Sequence, residues 1–335
     1  MPGRKKGLTI FLLILPFLVF LFSLYIGTTP ISPSLLFKTL LSPLVSSWKA
    51  SLPESVYDIV FAIRLPRLLL ALAVGAALSV SGAALQALFK NPLVNEYILG
   101  ISSGAAFGAA LSFVVLGSRV PPQILAFVFA VLAVGLVLLI ARRSDSPIVS
   151  ILLTGVIVSA FFSALLSLVE YFASPYSLQA LFFWLMGNLW KAGWTDLAIS
   201  LPIIGAGVAV LVLMRWRFNV LSMSDEEARS LGVRIRREKL IVLATATLIT
   251  AAATAVAGII GWIGLIVPHL VRMIVGVDNR RVLPLSAALG ATVLLIADDI
   301  ARSLASFEVP VGIFTSIIGI PLFIILLRRA AKVWR

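Results

Sequence analysis

The sequence predicts an all-α polytopic membrane protein with about ten transmembrane helices and a weak internal repeat. Of its 335 residues, 61% are apolar and 12% are charged, and the mean hydropathy is +1.11. Charged residues make up roughly a quarter of an ordinary soluble domain. The composition therefore excludes a soluble enzyme, a disordered chain and a DNA-binding domain. The apolar share, about 204 residues, suffices for about ten crossings of about 20 residues each.

Ten apolar runs follow one another along the chain. The eighth is short and contains Pro268, His269 and Arg272. Fusing it with the seventh would give nine spans and would place Arg280 and Arg281 on the opposite side of the membrane from the basic C-terminal residues. Ten spans are therefore preferred. The predicted spans are Leu8–Ile26, Leu65–Phe89, Tyr97–Leu116, Pro122–Ile140, Ile148–Tyr171, Trp194–Met214, Leu240–Gly261, Trp262–Val277, Leu283–Ser303 and Val311–Leu327.

The basic residues behind the net charge of +13 are divided unevenly between the two sides of the membrane. With the N-terminus in the cytoplasm, inside segments hold 19 basic residues and outside segments hold seven, while Arg272 lies within a span. This asymmetry follows the positive-inside rule. We therefore expect one transmembrane domain over residues 1–335, in the cytoplasmic (inner) membrane, with both termini cytoplasmic.

Two connections are more than simple loops. The aromatic stretch 174–188 is too short to cross, so it is predicted to lie on the extracytoplasmic membrane surface. Stretch 215–239 is the longest polar segment inside. In it, Ser224 and Glu227 have the spacing of a capping box, and Gly232 suits the position after a helix end, which predicts a short exposed helix over Asp225–Leu231. A plain solvated loop helix is the alternative reading.

Glycines mark the helix faces that are expected to pack closely, since small residues let backbones approach in lipid. Each glycine group lies beside a proline-containing break, Asn91-Pro-Leu93 in the first half and Val267-Pro-His269 in the second. Paired interruptions of this kind favour an internal repeat with a pathway between the halves. The two groups are Gly100, Gly104 and Gly108, and Gly258, Gly261 and Gly264.

Covalent chemistry is not expected in this chain. It has no cysteine and a single histidine, His269, so no cofactor or metal site is predicted. It contains no G-x-x-x-x-G-K-[ST] sequence, so ATP would have to be bound by a partner. The G-x-S-x-G pattern at Gly100–Gly104 has a packing explanation and no preceding strand, which disfavours a hydrolase. Sparse charge within the spans favours a passive gated conduit, and an ion-coupled secondary transporter or channel is the alternative.

Three arginines lie on the predicted outside, against the positive-inside trend. Arg302 could pair with Asp298 or Asp299 along one helix, and Arg64 and Arg67 could snorkel to the interface. The sharper hypothesis is a basic docking patch for an acidic extracytoplasmic protein. Spacing alone leaves both interpretations open.

The ordered motifs of the chain resemble the permease family of type II ABC importers, which bring in ferric siderophores, haem and vitamin B12. The resemblance runs from about Arg64 to Arg328. The motifs that carry it are Arg64-Leu-Pro-Arg67, Ser81-Gly-Ala-Ala-Leu-Gln86, Asn91-Pro-Leu93, Leu99-Gly-Ile-Ser-Ser-Gly-Ala105, Gly264-Leu-Ile-Val-Pro-His-Leu-Val-Arg272, Ala297-Asp298, Arg302, Val309-Pro-Val-Gly312 and Gly319-Ile-Pro-Leu-Phe323.

The resemblance implies a fold like that of the vitamin B12 importer permease and a homodimer around a central pathway. It also implies two cytoplasmic ATPase subunits that supply the driving force, an extracytoplasmic substrate-binding protein, and a metal chelate as substrate. Asp145 makes one implied gate segment more charged than the family pattern. By position, the implied sites are docking at Arg64, Arg67 and Arg302; ATPase coupling at Glu227, Ala228, Leu231 and Gly232; and cytoplasmic gates at Asn91, Leu93, Ser144, Asp145 and Ser146.

Overall fold

A computed structural model describes residues 2–27, 29–45, 48, 52–142, 147–304 and 308–333, and these residues form helices and connections without a strand. Two π-helical turns, Ile59–Arg64 and Leu111–Val115, interrupt the α-helices. The helices are α1 (Pro2–Ser23), α2 (Pro33–Leu41), α3 (Glu54–Asp58), α4 (Leu65–Leu88), α5 (Ile101–Ala110), α6 (Pro122–Ala141), α7 (Pro147–Tyr171), α8 (Pro175–Leu185), α9 (Trp194–Leu213), α10 (Arg215–Leu221), α11 (Asp225–Ser230), α12 (Ile235–Ala257), α13 (Ile263–Val275), α14 (Asn279–Ser303) and α15 (Val311–Val333).

The membrane-spanning prediction agrees with these helices. Within the described ranges, six helices are long and apolar enough to cross a bilayer. Four shorter apolar helical stretches accompany them, Gly7–Ser23, Ile101–Val115, Ile263–Val275 and Val311–Leu326. Each of the ten predicted spans corresponds to one of these ten helices. The second span extends further than predicted, because α3 and a π-helical turn join α4 into one run over Glu54–Leu88.

Helix α4 is the centre of the bundle and is buried on almost every side. It packs against α9, α12, α13 and α14. Small residues make this possible, because Gly75 meets the backbone of Gly290 in α14 and Gly82 meets the backbone of Gly264 in α13. Helices α7 and α9 are the opposite case, since only 22% of the apolar window of each is buried inside the chain.

The predicted glycine faces are partly confirmed. Gly104 and Gly108 bring α5 against the backbone of α6, as expected for closely packed helices. Gly100 instead ends the preceding loop in a left-handed conformation (φ 82°), and Gly261 faces open space. The prediction was wrong for these two glycines, because a repeat of small residues does not reveal where the helix begins.

Two ends of the bundle carry the predicted sites. The α8 face comprises α8, the amino end of α4, the carboxyl end of α14 and the segment 308–310. The α11 face comprises α10, α11, the carboxyl ends of α4 and α6, and the amino ends of α12 and α14. Helix α13 reaches the α11 face but begins deep in the bundle, after a loop in which Gly258 and Trp262 adopt positive φ.

Candidate docking, coupling and gating sites

Arg67 forms a buried ion-pair network on the α8 face. Its guanidinium group forms hydrogen bonds with Asp298 of α14. The Nε and Nη2 atoms donate to Asp298 Oδ1 at 3.0 and 2.9 Å. Nη1 donates to Glu308 Oε1 at 2.8 Å. One side chain thus joins α4, α14 and the segment before α15. Charge-assisted bonds of this forked kind are among the strongest in proteins.

Arg64 and Arg302 together hold the carboxyl end of α1. Arg302 donates to the carbonyl oxygens of Ser23 and Ile26 at 3.1 and 3.0 Å, and Arg64 donates to the carbonyl oxygen of Leu24 at 2.7 Å. The last carbonyl groups of a helix have no partner within the helix. The two guanidinium groups supply those partners from α14 and from the π-helical turn before α4. Ser23 also donates its hydroxyl to Asp299 at 2.6 Å.

The three arginines therefore do not form an open basic patch in this chain, because Arg64, Arg67 and Arg302 are only 4%, 4% and 5% exposed. The alternative reading of Arg302 is confirmed: it pairs with both Asp298 and Asp299 of its own helix. The snorkelling interpretation of Arg64 and Arg67 was wrong, because both side chains turn inward to polar partners. Their role in docking a partner protein stays a prediction.

The predicted coupling helix is present as α11 on the α11 face. Ser224 and Glu227 form the reciprocal capping box, with the Ser224 amide donating to the Glu227 carboxylate at 3.0 Å. The hydrogen bonds from Ser224 hold the pKa of Glu227 below its ordinary value. Gly232 follows the helix in the left-handed conformation (φ 76°) that the prediction required. Ala228 is buried in a small cluster with Val220, Leu221 and Ile235, while Leu231 projects into solvent.

Two polar links that sequence patterns did not predict connect this segment to the spans. Lys90, just beyond α4, donates its ammonium group to the carbonyl oxygen of Met223 at the base of α11. Asn219 of α10 donates to Asp278 at 2.7 Å and accepts from the Asn279 amide at 2.9 Å, which fixes α10 at the amino end of α14. The Asn219 hydrogen bond is the main cause that lowers the pKa of Asp278. The left-handed backbone of Lys90 (φ 50°) is visible only in the structure.

The first predicted gate lies next to this link. Asn91 accepts a hydrogen bond from the Leu93 amide at 2.9 Å, which closes a tight turn after α4. The Leu93 side chain is exposed at that turn. The second predicted gate, Ser144, Asp145 and Ser146, lies outside the described residues.

Glu96 is a deeply buried acidic residue that sequence reasoning overlooked. It is 0% exposed, and in the described ranges its carboxylate has no side-chain partner, so that the backbone amides of Glu96 and Gly264 are its nearest polar groups. The carboxylate packs directly on Gly264, whose added Cβ would also lie 2.7 Å from the Leu78 carbonyl oxygen. Leu78 and Gly82, which both meet Gly264, are ten and six residues from the end of α4, so Glu96 lies about 9–15 Å inside the bundle. Glu96 lies in a predicted connection between two spans, next to Asn95, and this position gave no sign of its depth.

The short helix α13 is held by a second polar contact. Gln86 of α4 donates to the carbonyl oxygens of Gly264 and Leu265, both at 3.3 Å, and accepts from Arg272 at the other end of the helix. This explains the arginine predicted to lie within a span: a buried amide is its partner. Within the G-x-S-x-G stretch, Ser103, which follows the serine of the pattern, donates to the Gly100 carbonyl oxygen at 3.3 Å in the first turn of α5.

Comparisons with known proteins agree with this architecture. The chain is 44% identical to the cobalamin import system permease protein of Halobacterium salinarum, over 82% of this chain and 75% of that protein. It is 38% identical to the hemin transport system permease protein of Yersinia pestis, over 95% and 94% of the two chains. A solved inward-facing metal-chelate type ABC transporter superposes with a TM-score of 0.84 at 34% identity, covering 98% of this chain and 100% of that one. The model of the FecCD transport family matches residues 12–329. The chain belongs to the FecCD transport family.

Proposed function

We propose that this transport permease is the membrane-spanning subunit of an ATP-binding-cassette importer and forms the pathway for a metal chelate. The observation that carries the proposal is the family match over residues 12–329, which extends from α1 into α15. The relatives named for cobalamin and hemin support the substrate class, because both ligands are bulky, chelated metals. Ferric siderophore, haem and cobalamin are thus the candidate substrates, and an oxyanion is the alternative.

The proposed assembly is a homodimer with two ATPase subunits and a soluble binding protein. We assign the α11 face to the cytoplasm, because the connection 215–239 carries the largest concentration of basic residues. The α8 face is then extracytoplasmic, and both termini are cytoplasmic. The weakly buried α7 supports a second copy of the chain, since its apolar surface needs lipid or another subunit as a neighbour.

The proposed coupling site is α11 with Glu227, Ala228, Leu231 and Gly232. An exposed Leu231 on a helix anchored through Ala228 is a suitable contact for an ATPase surface. Displacement of α11 would be passed to the end of α4 through Lys90, which holds the carbonyl oxygen at the base of α11. Rigid-body shifts of this kind are a common means of switching.

The proposed gates complete this path. Asn91 and Leu93 directly follow Lys90, so the same link that joins α11 to α4 also reaches the turn that carries the first gate. Ser144, Asp145 and Ser146 are retained as the second cytoplasmic gate on the resemblance alone.

Docking of the binding protein on the α8 face is proposed with a modified role for the arginines. Because Arg64, Arg67 and Arg302 already have partners inside the chain, they would shape the docking surface by holding α1, α4 and α14 in place. Glu308, which is partly exposed beside Arg67, marks the outer edge of the cluster. Direct contact of the arginines with acidic lobes of the binding protein would require these internal pairs to open.

Reconstitution with the cognate ATPase and binding protein tests the proposal. We expect substrate uptake into proteoliposomes that needs all three components and ATP. Leu231→Asp should release the ATPase on gel filtration in detergent, whereas Leu44→Asp, the same change at another exposed leucine on the opposite face, should leave it bound. Stoichiometric association of the Leu231→Asp variant would remove the coupling assignment.

The rival function, an ion-coupled secondary transporter, gains one observation from Glu96. Buried, unpaired carboxylates in membrane proteins often mark proton or ion relays. Under the importer proposal, Glu96→Gln keeps ATP-driven uptake, because the amide retains the shape of the carboxyl group while its charge is dispensable. Uptake by the chain alone, abolished by Glu96→Gln in a normally folded variant, would instead establish the rival.

A further inference from the structure

A cavity of about 820 Å³ opens on the α11 face between α4, α6, α7, α11 and α12. This volume lies in the range of small-molecule binding sites. Four cationic side chains from three helical regions surround it: Arg142, Arg229, Arg236 and Lys239. We call it the basic cavity. No aspartate or glutamate is present among its described lining residues.

The three arginines of the basic cavity have no acidic partner among the residues that the structure describes. In the described part of the structure, no ion pair or hydrogen bond joins the side chains of Arg142, Arg229 or Arg236 to another residue. The neighbouring Glu238 is buried and already pairs with Arg217. Positive groups gathered around a concave, partly apolar site raise the local potential for an anion. Guanidinium groups in particular match the oxygens of a phosphate.

The walls of the basic cavity are apolar and extend towards the interior of the spans. Leu243 lies seven residues along α12 from Arg236, about 10 Å, and Leu138 lies four residues along α6 from Arg142, about 6 Å. Leu88 contributes a further apolar surface at the end of α4. A ligand for this site therefore has an anionic head and an apolar tail that enters the bilayer. A soluble ATPase would meet the ring of cations but could not occupy the apolar depth.

We propose that the basic cavity binds an anionic phospholipid of the inner leaflet, with its phosphate among the arginines and an acyl chain along the apolar wall. The inference rests on the proposed assignment of the α11 face to the cytoplasm, since that leaflet then supplies the lipid. Basic pockets between transmembrane helices on this side are known to hold anionic headgroups. The lipid would fill the space beside α11 and brace the coupling helix against α6 and α12.

Native mass spectrometry of the full chain in detergent tests this proposal with phosphatidylglycerol and phosphatidylcholine as probes. We expect at least one phosphatidylglycerol to stay bound and phosphatidylcholine to bind far more weakly. Arg142→Ala combined with Arg236→Ala should weaken phosphatidylglycerol binding about 30-fold, since each basic residue near an anionic lipid contributes about 1 kcal/mol. The matched control combines Arg234→Ala with Arg237→Ala, which removes equal charge from the adjacent surface outside the basic cavity.

A second variant keeps every charge. Val149→Trp, at an exposed lining position, should fill the apolar part and also weaken phosphatidylglycerol binding. If both double variants lost phosphatidylglycerol binding equally, or if both lipids bound equally well, the proposal would be overturned. Binding would then reflect diffuse attraction to the surface and not the basic cavity. Unchanged lipid binding with loss of the ATPase from the Arg142→Ala/Arg236→Ala complex would overturn it in favour of a protein partner. Lipid binding is measured in detergent without any transport assay. A failure of the lipid proposal can therefore be told apart from a failure of the importer proposal.

Discussion

The close approach of α5 and α6 makes a quantitative prediction about one added methyl group. In Gly104→Ala the new Cβ would lie 2.5 Å from the Phe129 carbonyl oxygen and 2.9 Å from Ala133 Cβ. Real Cβ contacts essentially never fall below 3.0 Å, so α6 must move by at least about 0.5 Å. That shift also disturbs the edge-to-face pair of Phe107 and Phe129, whose ring centroids are 5.0 Å apart.

The energetic terms in Gly104→Ala oppose each other. Overpacking costs about 1–3 kcal/mol, and weakening an aromatic pair costs about 0.5–1.5 kcal/mol. Replacing a helical glycine by alanine returns up to about 1 kcal/mol. We expect a net loss of about 0.5–4.5 kcal/mol in the free energy of unfolding.

The matched control for Gly104→Ala is Gly135→Ala in α6, where no atom lies within 4 Å of the added Cβ. At this position only the gain in helix propensity from glycine to alanine remains. This variant should therefore be as stable as the parent or more stable by up to about 1 kcal/mol. Unfolding by titration with a denaturing detergent in mixed micelles measures both variants. Equal stability of the two alanine variants would refute the packing argument, because the chemical change is the same.

Three further predictions concern polar contacts. Arg67→Gln and Asp298→Asn should each lower the free energy of unfolding by about 3–5 kcal/mol, because each leaves a buried charge without its main partner. The double variant should lose clearly less than the sum, and strict additivity would show that the pair is not coupled. Because the pKa of Glu227 is lowered, its stabilising cap is complete above its ordinary pKa and disappears only as the pH falls through the lower folded value. Binding of the ATPase should thus be constant from about pH 6 to 8, and a steep loss of binding near pH 6.5 would contradict this account. Binding should weaken in Ser224→Ala, because this change removes a helix cap that is typically worth about 1 kcal/mol. Lys90→Met should keep ATPase binding but lower ATP-driven uptake several-fold in proteoliposomes, whereas unchanged uptake would show that the link to α11 carries no motion.

The predictable features of this chain are local ones. The spans follow from apolar runs whose lengths match a bilayer, and α11 follows from a capping box and a terminal glycine within nine residues. Each signal lies in one short stretch of sequence. The pairing of Arg302 with Asp298 and Asp299 was foreseeable for the same reason, since all three residues share one helix.

The remaining contacts depend on how distant segments meet. Arg67 and Asp298 are 231 residues apart, so the sequence could suggest an unusual outer arginine but not its partner. The link from Lys90 to Met223 depends on where two loops converge at the end of the bundle. Glu96 was overlooked because it lies in a predicted connection between two spans, and only the packing against Gly264 reveals that it is buried.

The capping of α1 by Arg64 and Arg302 has a consequence for biosynthesis. Helix α1 is synthesised before α14, yet one of its two caps comes from α14, in contacts that span 276 to 279 residues. Contacts between such distant residues form late in folding. A nascent chain therefore carries a helix end whose carbonyl groups depend on water or lipid headgroups until the last spans are inserted. Closure of this end joins the first and final thirds of the polypeptide, so that a chain halted before Arg302 lacks the contact that completes the bundle.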